Sequence, residues 1–174
     1  MDVKCAFLNG DLTKEIYMQQ HQGFSTNPSL VCRLKKSLYG LKQAPRAWYA
    51  KIDSFLLSLN FVRCKSDPSV YLKLIHGSLM IIFLYVDDLL ITGSSKDEIA
   101  SLKDAMNHAF SLTDLGLLSQ LFGLEIAQTK NGIKLHQSKY DLDLLNKFNM
   151  KDCKPSKTPS FPELSLKKLI LHLW

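Results

Sequence analysis

The chain has 174 residues, 46% of them hydrophobic, with 22 Lys plus Arg against 16 Asp plus Glu, a formal net charge of +6. That length suits one domain or one and a half small ones, and the apolar content excludes a disordered tail. The longest strongly apolar run, residues 79–86, is far too short to span a bilayer, and the opening MDVKCAFLNG lacks the layout of a signal peptide.

Residues 3–8 are short and mixed and run into the turn signal Asn9-Gly10-Asp11. Strands are expected over 16–20 and 30–34, with a polar loop between them. Pro45 suits the first position of a helix, where no backbone donor is needed. Trp48, Ile52, Phe55, Leu56 and Leu59 then repeat at helical spacing, and Asn60 closes the helix. A strand over 70–74 and the turn His76-Gly77-Ser78 lead into residues 79–86, a buried strand by its β-branched and aromatic content. Asp87-Asp88 interrupts the apolar run and residues 89–92 resume it, which predicts a hairpin with two carboxylates at its tip. Ser95 with Glu98 forms a capping box before a helix whose Ile99, Leu102, Met106 and Phe110 share one face. Residues 121–128 and 133–136 flank Lys130-Asn131-Gly132, a short hairpin signal. Ser138 caps a last helix, with Tyr140, Leu144, Leu145 and Phe148 expected inward. Three prolines between Pro155 and Pro162 predict a linker or extended arm, and the apolar, basic residues 164–174 suit a short helix.

Charge is unevenly spread. Residues 30–51 hold six basic side chains (Arg33, Lys35, Lys36, Lys42, Arg46 and Lys51) and no acidic one, with Tyr39, Trp48 and Tyr49 interleaved. Such a stretch suits either a polyanion such as nucleic acid or a plain solvated face. The four cysteines lie far apart with no C-x-x-C pair, so the zinc signal is absent and free thiols in an intracellular protein are expected.

The middle of the chain reads β-α-β-β-α-β, the ferredoxin-like arrangement of an α+β fold. Its sheet sets the first strand beside the third, so the end of strand one lies near the turn between strands two and three. Those two places hold Asp2 and Asp87-Asp88. Clustered carboxylates repel unless a cation neutralises them. Hard oxygen ligands at a sheet edge suit magnesium, and two such ions can clamp the attacking and leaving oxygens of an in-line phosphoryl displacement. Ordinary turn chemistry is the competing reading of Asp87-Asp88. The eight apolar residues before the pair and the four after it favour function.

Tyr85-Val86-Asp87-Asp88 resembles the catalytic box of reverse transcriptases. The opening MDVKCAFLNG resembles the first aspartate motif of copia-type LTR retrotransposons, and residues 38–49, LYGLKQAPRAWY, are similar to that family's template and nucleotide motif. Ser66-Asp67-Pro68-Ser69-Val70-Tyr71, Phe122-Gly123-Leu124-Glu125-Ile126 and the pairs Lys154-Pro155 and Thr158-Pro159 also fit, so the resemblance covers about residues 1–160. Several motifs in the right order are a far stronger signal than one. The resemblance implies an incomplete reverse-transcriptase palm with partial fingers, reaching to about residue 128. A primer-grip hairpin and the start of the thumb would occupy 121–150, and 161–174 would be a divergent tail. It implies that Asp2 and Asp87 are the principal ligands of two Mg2+ ions, with Asp88 a third carboxylate and Val3 offering its backbone carbonyl. Phe7 would stack under the incoming sugar, Gln43 would lie near the nucleotide and template, Arg46 would touch phosphate, and Tyr85 would contact the nucleotide or template. Phe122, Gly123, Leu124 and Glu125 would grip the primer. The implied reaction is transfer of a deoxynucleotide from a dNTP to a DNA primer on an RNA template, inside a larger Pol polyprotein. The compartment would be the cytoplasm, within a virus-like particle, or the nucleus.

The sequence also departs from that family. Only Met1 precedes Asp2, so most of the first strand is expected to be missing and the isolated chain to show little or no extension activity. His21 stands where proline is usual, Thr113 stands where lysine is common, and residues 160–174 do not continue the pattern. No protease, integrase or RNase H motif is present. A truncated, non-catalytic relic that at most binds nucleic acid, or a plain structural fragment, are the alternatives.

Overall fold

A computed structural model describes residues 1–24, 27 and 29–156. The chain divides into two compact units, the first spanning Met1–Leu118 and the second starting at Ser119.

The first unit is built on a six-stranded sheet in the order β4-β5-β6-β7-β1-β8. Its strands are β1 (Asp2–Val3), β4 (Val62–Arg63), β5 (Val70–Ile75), β6 (Ser78–Tyr85), β7 (Asp88–Gly93) and β8 (Leu112–Thr113). Two further strands, β2 (Tyr17–Gln19) and β3 (Val31–Arg33), form a separate exposed ribbon in which Tyr17 faces Arg33. Helix α1 (Ala44–Ser58) links β3 to β4, and α2 (Lys96–Ala109) links β7 to β8.

Period-2 alternation explains the sheet. Met80, Ile82 and Leu84 of β6 are buried, while the residues between them are half-buried or exposed. One face is therefore packed and the other only partly covered, less buried than the unbroken apolar run suggests. The packed face meets Trp48, Ile52 and Leu56 of α1 and Leu102 and Met106 of α2, all at most 6% exposed. Both helices thus bury the stripe their spacing predicts. The Ser95 side chain accepts from the Glu98 N–H at 3.3 Å, as a capping box requires. Hairpin β5–β6 turns on His76 and Gly77, both at positive φ, which suits the right-handed twist of the flanking strands.

A buried polar network pins α1 to the sheet edge. Asp53, 7% exposed, accepts from the Tyr71 hydroxyl at 2.8 Å and from Arg63 Nε and Nη2 at 2.5 and 2.8 Å. Burial pushes this carboxyl up, but the hydrogen bonds from Arg63 and Tyr71 outweigh it and hold Asp53 below the ordinary value.

In the second unit β9 (Gln120–Leu121), β10 (Leu124–Thr129) and β11 (Gly132–His136) form a three-stranded antiparallel sheet, followed by α3 (Ser138–Lys147). The expected hairpin is present, with Thr129 opposite Gly132 and the loop residues Lys130 and Asn131 between them. The inward face expected of the last helix is not: Tyr140, Leu144 and Phe148 are 58%, 42% and 61% exposed, Leu145 is only half-buried, and α3 has no buried residue. Its amphipathic spacing is real, but within its own unit it finds no apolar surface to cover. The segment 154–156 has no regular structure, and the rest of the proline-rich arm lies outside the described residues. The tail over 161–174 lies outside the described residues.

Candidate active site

β1 is the pivot of the sheet. It pairs antiparallel with β7 on one side and β8 on the other, setting Asp2 opposite Asp88 and also opposite Thr113. Met1 and Leu89 exchange both backbone hydrogen bonds, at 2.8 and 2.9 Å, and the Val3 N–H donates to the Asp87 carbonyl at 2.8 Å. Asp2 and Asp88 are therefore a non-hydrogen-bonded pair, the kind in which cross-strand side chains approach most closely. Tyr85 faces Asp88 across the hairpin. A row Tyr85, Asp88, Asp2, Thr113 thus crosses four strands on one face. Val3 and Leu89, 2% and 3% exposed, point to the opposite, packed face.

Only one of the two acids lies at the tip. Val86 and Asp87 are the turn residues, and Asp88 is already in β7. Val86 has φ 54, a conformation β-branched residues rarely adopt and one that costs on the order of 1–3 kcal/mol. Its carbonyl accepts from Trp48 Nε1 at 2.5 Å. Burial pushes the Asp88 carboxyl above the ordinary range, and the negative charges of Asp87 and Asp2 push it further. Among the described residues no side chain donates a hydrogen bond to Asp2, Asp87 or Asp88.

The three carboxylates do not close into a ready-made cage: among the described residues no group of three acidic, histidine or cysteine side chains is disposed to hold a metal ion. The donor chemistry nevertheless fits Mg2+, which takes one or two carboxylates and completes its shell with water and substrate phosphates. Unpaired, mutually repelling hard oxygens are what such a cation neutralises.

The other residues singled out in the sequence fall into three places. Phe7 lines a cleft of about 210 Å³ with Pro45, Trp48, Tyr49, Ser69, Leu84 and Val86, at the packed side of the hairpin tip. Gln43 and Arg46, both exposed at the start of α1, line a separate groove of about 1,030 Å³ with Lys14, Lys42 and Lys51. That groove includes none of the carboxylates and not Phe7. Asp11 on its wall is held below the ordinary carboxylate range by hydrogen bonds from Lys36 and Lys51. In the second unit Phe122 and Gly123, both at positive φ, are the turn joining Leu121 to Leu124. The Glu125 carboxylate accepts from the Lys139 N–H at 2.8 Å at the start of α3.

Three residues named in the sequence motifs take parts at the site that only the fold assigns. Thr113 enters through strand pairing, Trp48 through its indole N–H, and Gly10 through close approach. A Cβ on Gly10 would lie 2.8 Å from the Ser37 Oγ and from the Trp48 backbone nitrogen. Trp48 was visible beforehand through its helical spacing, its place in the basic stretch and its place in the 38–49 motif, none of which signals contact with a turn carbonyl.

Residues 1–162 match the reverse transcriptase (RNA-dependent DNA polymerase) family. The retrovirus-related Pol polyprotein from transposon TNT 1-94 of Nicotiana tabacum is 47% identical over 97% of the chain, which covers 13% of that relative. The corresponding polyprotein from transposon RE2 of Arabidopsis thaliana is 42% identical over 95% of the chain and 12% of its own length. A putative transposon Ty5-1 protein of Saccharomyces cerevisiae is 36% identical over 76% of the chain and 44% of its own length. The chain thus spans about an eighth of the plant polyproteins it matches. No solved structure matches it. No helix among the described residues is long and apolar enough to cross a membrane.

Proposed function

The chain belongs to the reverse transcriptase (RNA-dependent DNA polymerase) family, and we propose that its first unit carries the nucleotidyl-transfer site of a copia-type RNA-directed DNA polymerase. The observation that carries this reading is the cross-strand pairing of Asp2 with Asp88, one residue from the strained Val86–Asp87 turn. The order β6-β7-β1-β8, with α2 connecting β7 to β8 and α1 lying in the chain between β1 and β6, supports reading this unit as the palm. On the same reading β2 and β3 are part of the fingers, the β9–β10 turn is the primer grip and α3 begins the thumb.

Asp2 and Asp87, with Asp88 and the Val3 carbonyl, would hold two Mg2+ ions. When bound, these supply the charge that draws in the triphosphate and stabilises the leaving pyrophosphate. The protein's part is positioning. Phe7 sits beside the hairpin tip, where an incoming sugar would meet an aromatic edge. Tyr85 shares a face with Asp88 and Asp2 and would border the same substrate. Gln43 and Arg46 would contact template or nucleotide from the basic groove. Thr113 has no exchangeable amine, so proton donation to pyrophosphate would fall to water or to another group.

Mn2+ binding, followed by paramagnetic relaxation, tests this together with primer extension on an RNA template. The expectation is saturable Mn2+ uptake that Asp2→Asn and Asp87→Asn each abolish, with slight extension because Asp2 stands on a two-residue strand. Uptake unchanged in both variants would remove the reading.

A second reading, nucleic-acid binding without catalysis, is favoured by the groove that gathers Lys14, Lys42, Arg46 and Lys51. Binding of an RNA–DNA hybrid that weakens steeply with salt, in a chain that takes up no Mn2+, is its signature.

A further inference from the structure

The geometry points to Trp48 as the residue that positions the carboxylates relative to one another, an inference that rests on the polymerase reading. Trp48 is 2% exposed and lies one turn inside α1. Its indole N–H donates to the Val86 carbonyl at 2.5 Å. That carbonyl belongs to the rigid peptide unit joining Val86 to Asp87. The bond therefore sets the plane from which the Asp87 side chain departs. It also opposes relaxation of Val86 from φ 54 toward the negative φ a β-branched residue favours.

The same residue bears on the other half of the site through its backbone. A Cβ on Gly10 would meet the Trp48 nitrogen at 2.8 Å and the Ala47 carbonyl carbon at 2.9 Å. The chain running on from Asp2 thus rests directly on the helix at this point. The Gly10 N–H closes the segment's own turn on the Phe7 carbonyl at 3.0 Å, and the Gly10 carbonyl accepts from the Ser37 N–H at 3.1 Å, which ties the segment to the stretch before α1.

Behind the indole, Phe110 stacks edge-on, with centroids 5.3 Å apart at 86°. Phe110 caps α2 and precedes Ser111, whose carbonyl accepts from the Lys4 N–H at 2.9 Å. Trp48 therefore touches the tip that carries Asp87 and leads into Asp88, the segment following Asp2, and the end of α2 that leads into β8. Filling the core requires only a large apolar ring. The indole donor adds a directed bond to the one carbonyl in the turn that governs Asp87.

Trp48→Phe removes that donor and keeps a ring, and the intact chain carrying it is the test. Amide exchange at Asp87, Asp88 and Leu89 should quicken about five-fold, what one hydrogen bond of ordinary net strength amounts to. Mn2+ affinity should fall by a similar factor, and in extension assays kcat should fall more than the nucleotide KM. Val86→Gly placed in the Trp48→Phe background should recover part of the slow exchange at the tip, because glycine adopts positive φ without the steric cost a valine bears. A folded Trp48→Phe chain with parental tip exchange would overturn the inference. Should that variant fail to fold, the Trp48 indole proton in the parent decides the matter by its resonance: a downfield, hydrogen-bonded shift upholds the bond, and the shift of a buried but unbonded indole refutes it. A parent that binds no Mn2+ removes the polymerase reading, while the exchange data still judge whether Trp48 holds the tip.

Discussion

Asp88→Asn should stabilise the metal-free protein. Asp2 and Asp88 face each other as a non-hydrogen-bonded pair, whose Cβ atoms in such ladders lie about 4.5–5.5 Å apart. Two unit charges about 5 Å apart repel by roughly 0.8 kcal/mol at the permittivity of water and roughly 3 kcal/mol at an effective value of 20. Both side chains are half-buried, and the Met1 ammonium offsets part of the repulsion at Asp88. A net gain of about 1 kcal/mol on removing one charge is therefore expected. Asparagine is nearly isosteric, and no hydrogen bond to the Asp88 carboxylate is lost. With the denaturant dependence usual for small proteins, that gain moves the urea midpoint up by about 0.3–1 M. The assay is urea unfolding at pH 7 in EDTA, repeated in excess Mg2+. Cation binding to the folded form raises the parent's midpoint and should raise that of Asp88→Asn less. An Asp88→Asn midpoint below the parent's in EDTA would show that the two acids do not repel, and the electrostatic case for a cation site would collapse with it.

Asp53→Ala should cost about 2–3 kcal/mol, because it removes one hydrogen-bond partner of the fully buried Tyr71 hydroxyl, leaving it Tyr49, and unpairs Arg63, whose partial exposure limits the loss; thermal melting reads this as a drop of several degrees. Since the folded-state pKa of Asp53 is depressed, its contribution is present above the unfolded pKa of about 3.9 and lost as pH falls through the folded value. The parent's stability should therefore decline in acid below about pH 4, and Asp53→Asn should flatten that part of the profile. Gly10→Ala forces a methyl group against the Trp48 backbone and should destabilise by about 1–3 kcal/mol, again by melting. Phe148→Gln, at an exposed position, should shift stability by no more than about 0.5 kcal/mol; a larger loss would mean that the apolar face of α3 is covered in solution.

Much of the fold was written locally. The stripe on α1, the Ser95 cap, the alternation along β6 and the two-residue loops were legible because each is a short-range pattern with its own physical cause. The acids themselves stood out for the same reason, since charge at the end of a buried apolar run is costly without a purpose. The strand β8 was not legible, and β1 was inferred only from the order of elements, because each has two residues and is too short to show any period. Nor was the exposure of α3, because amphipathic spacing states which face seeks burial and not whether anything is there to cover it.

The sequence by itself thus determined which residues carry chemistry and which faces turn inward. The order of elements already brought Asp2 near Asp87 and Asp88; only the tertiary structure decided that Asp2 stands opposite Asp88 and Thr113, that Asp87 alone occupies the turn, and that Trp48 and Gly10 brace the two sides. Those relations depend on strand register and on approach between segments distant in the chain, and a one-residue slip of register would send every side chain of β1 to the other face. No local pattern encodes such pairing; it is set by the way the whole core closes.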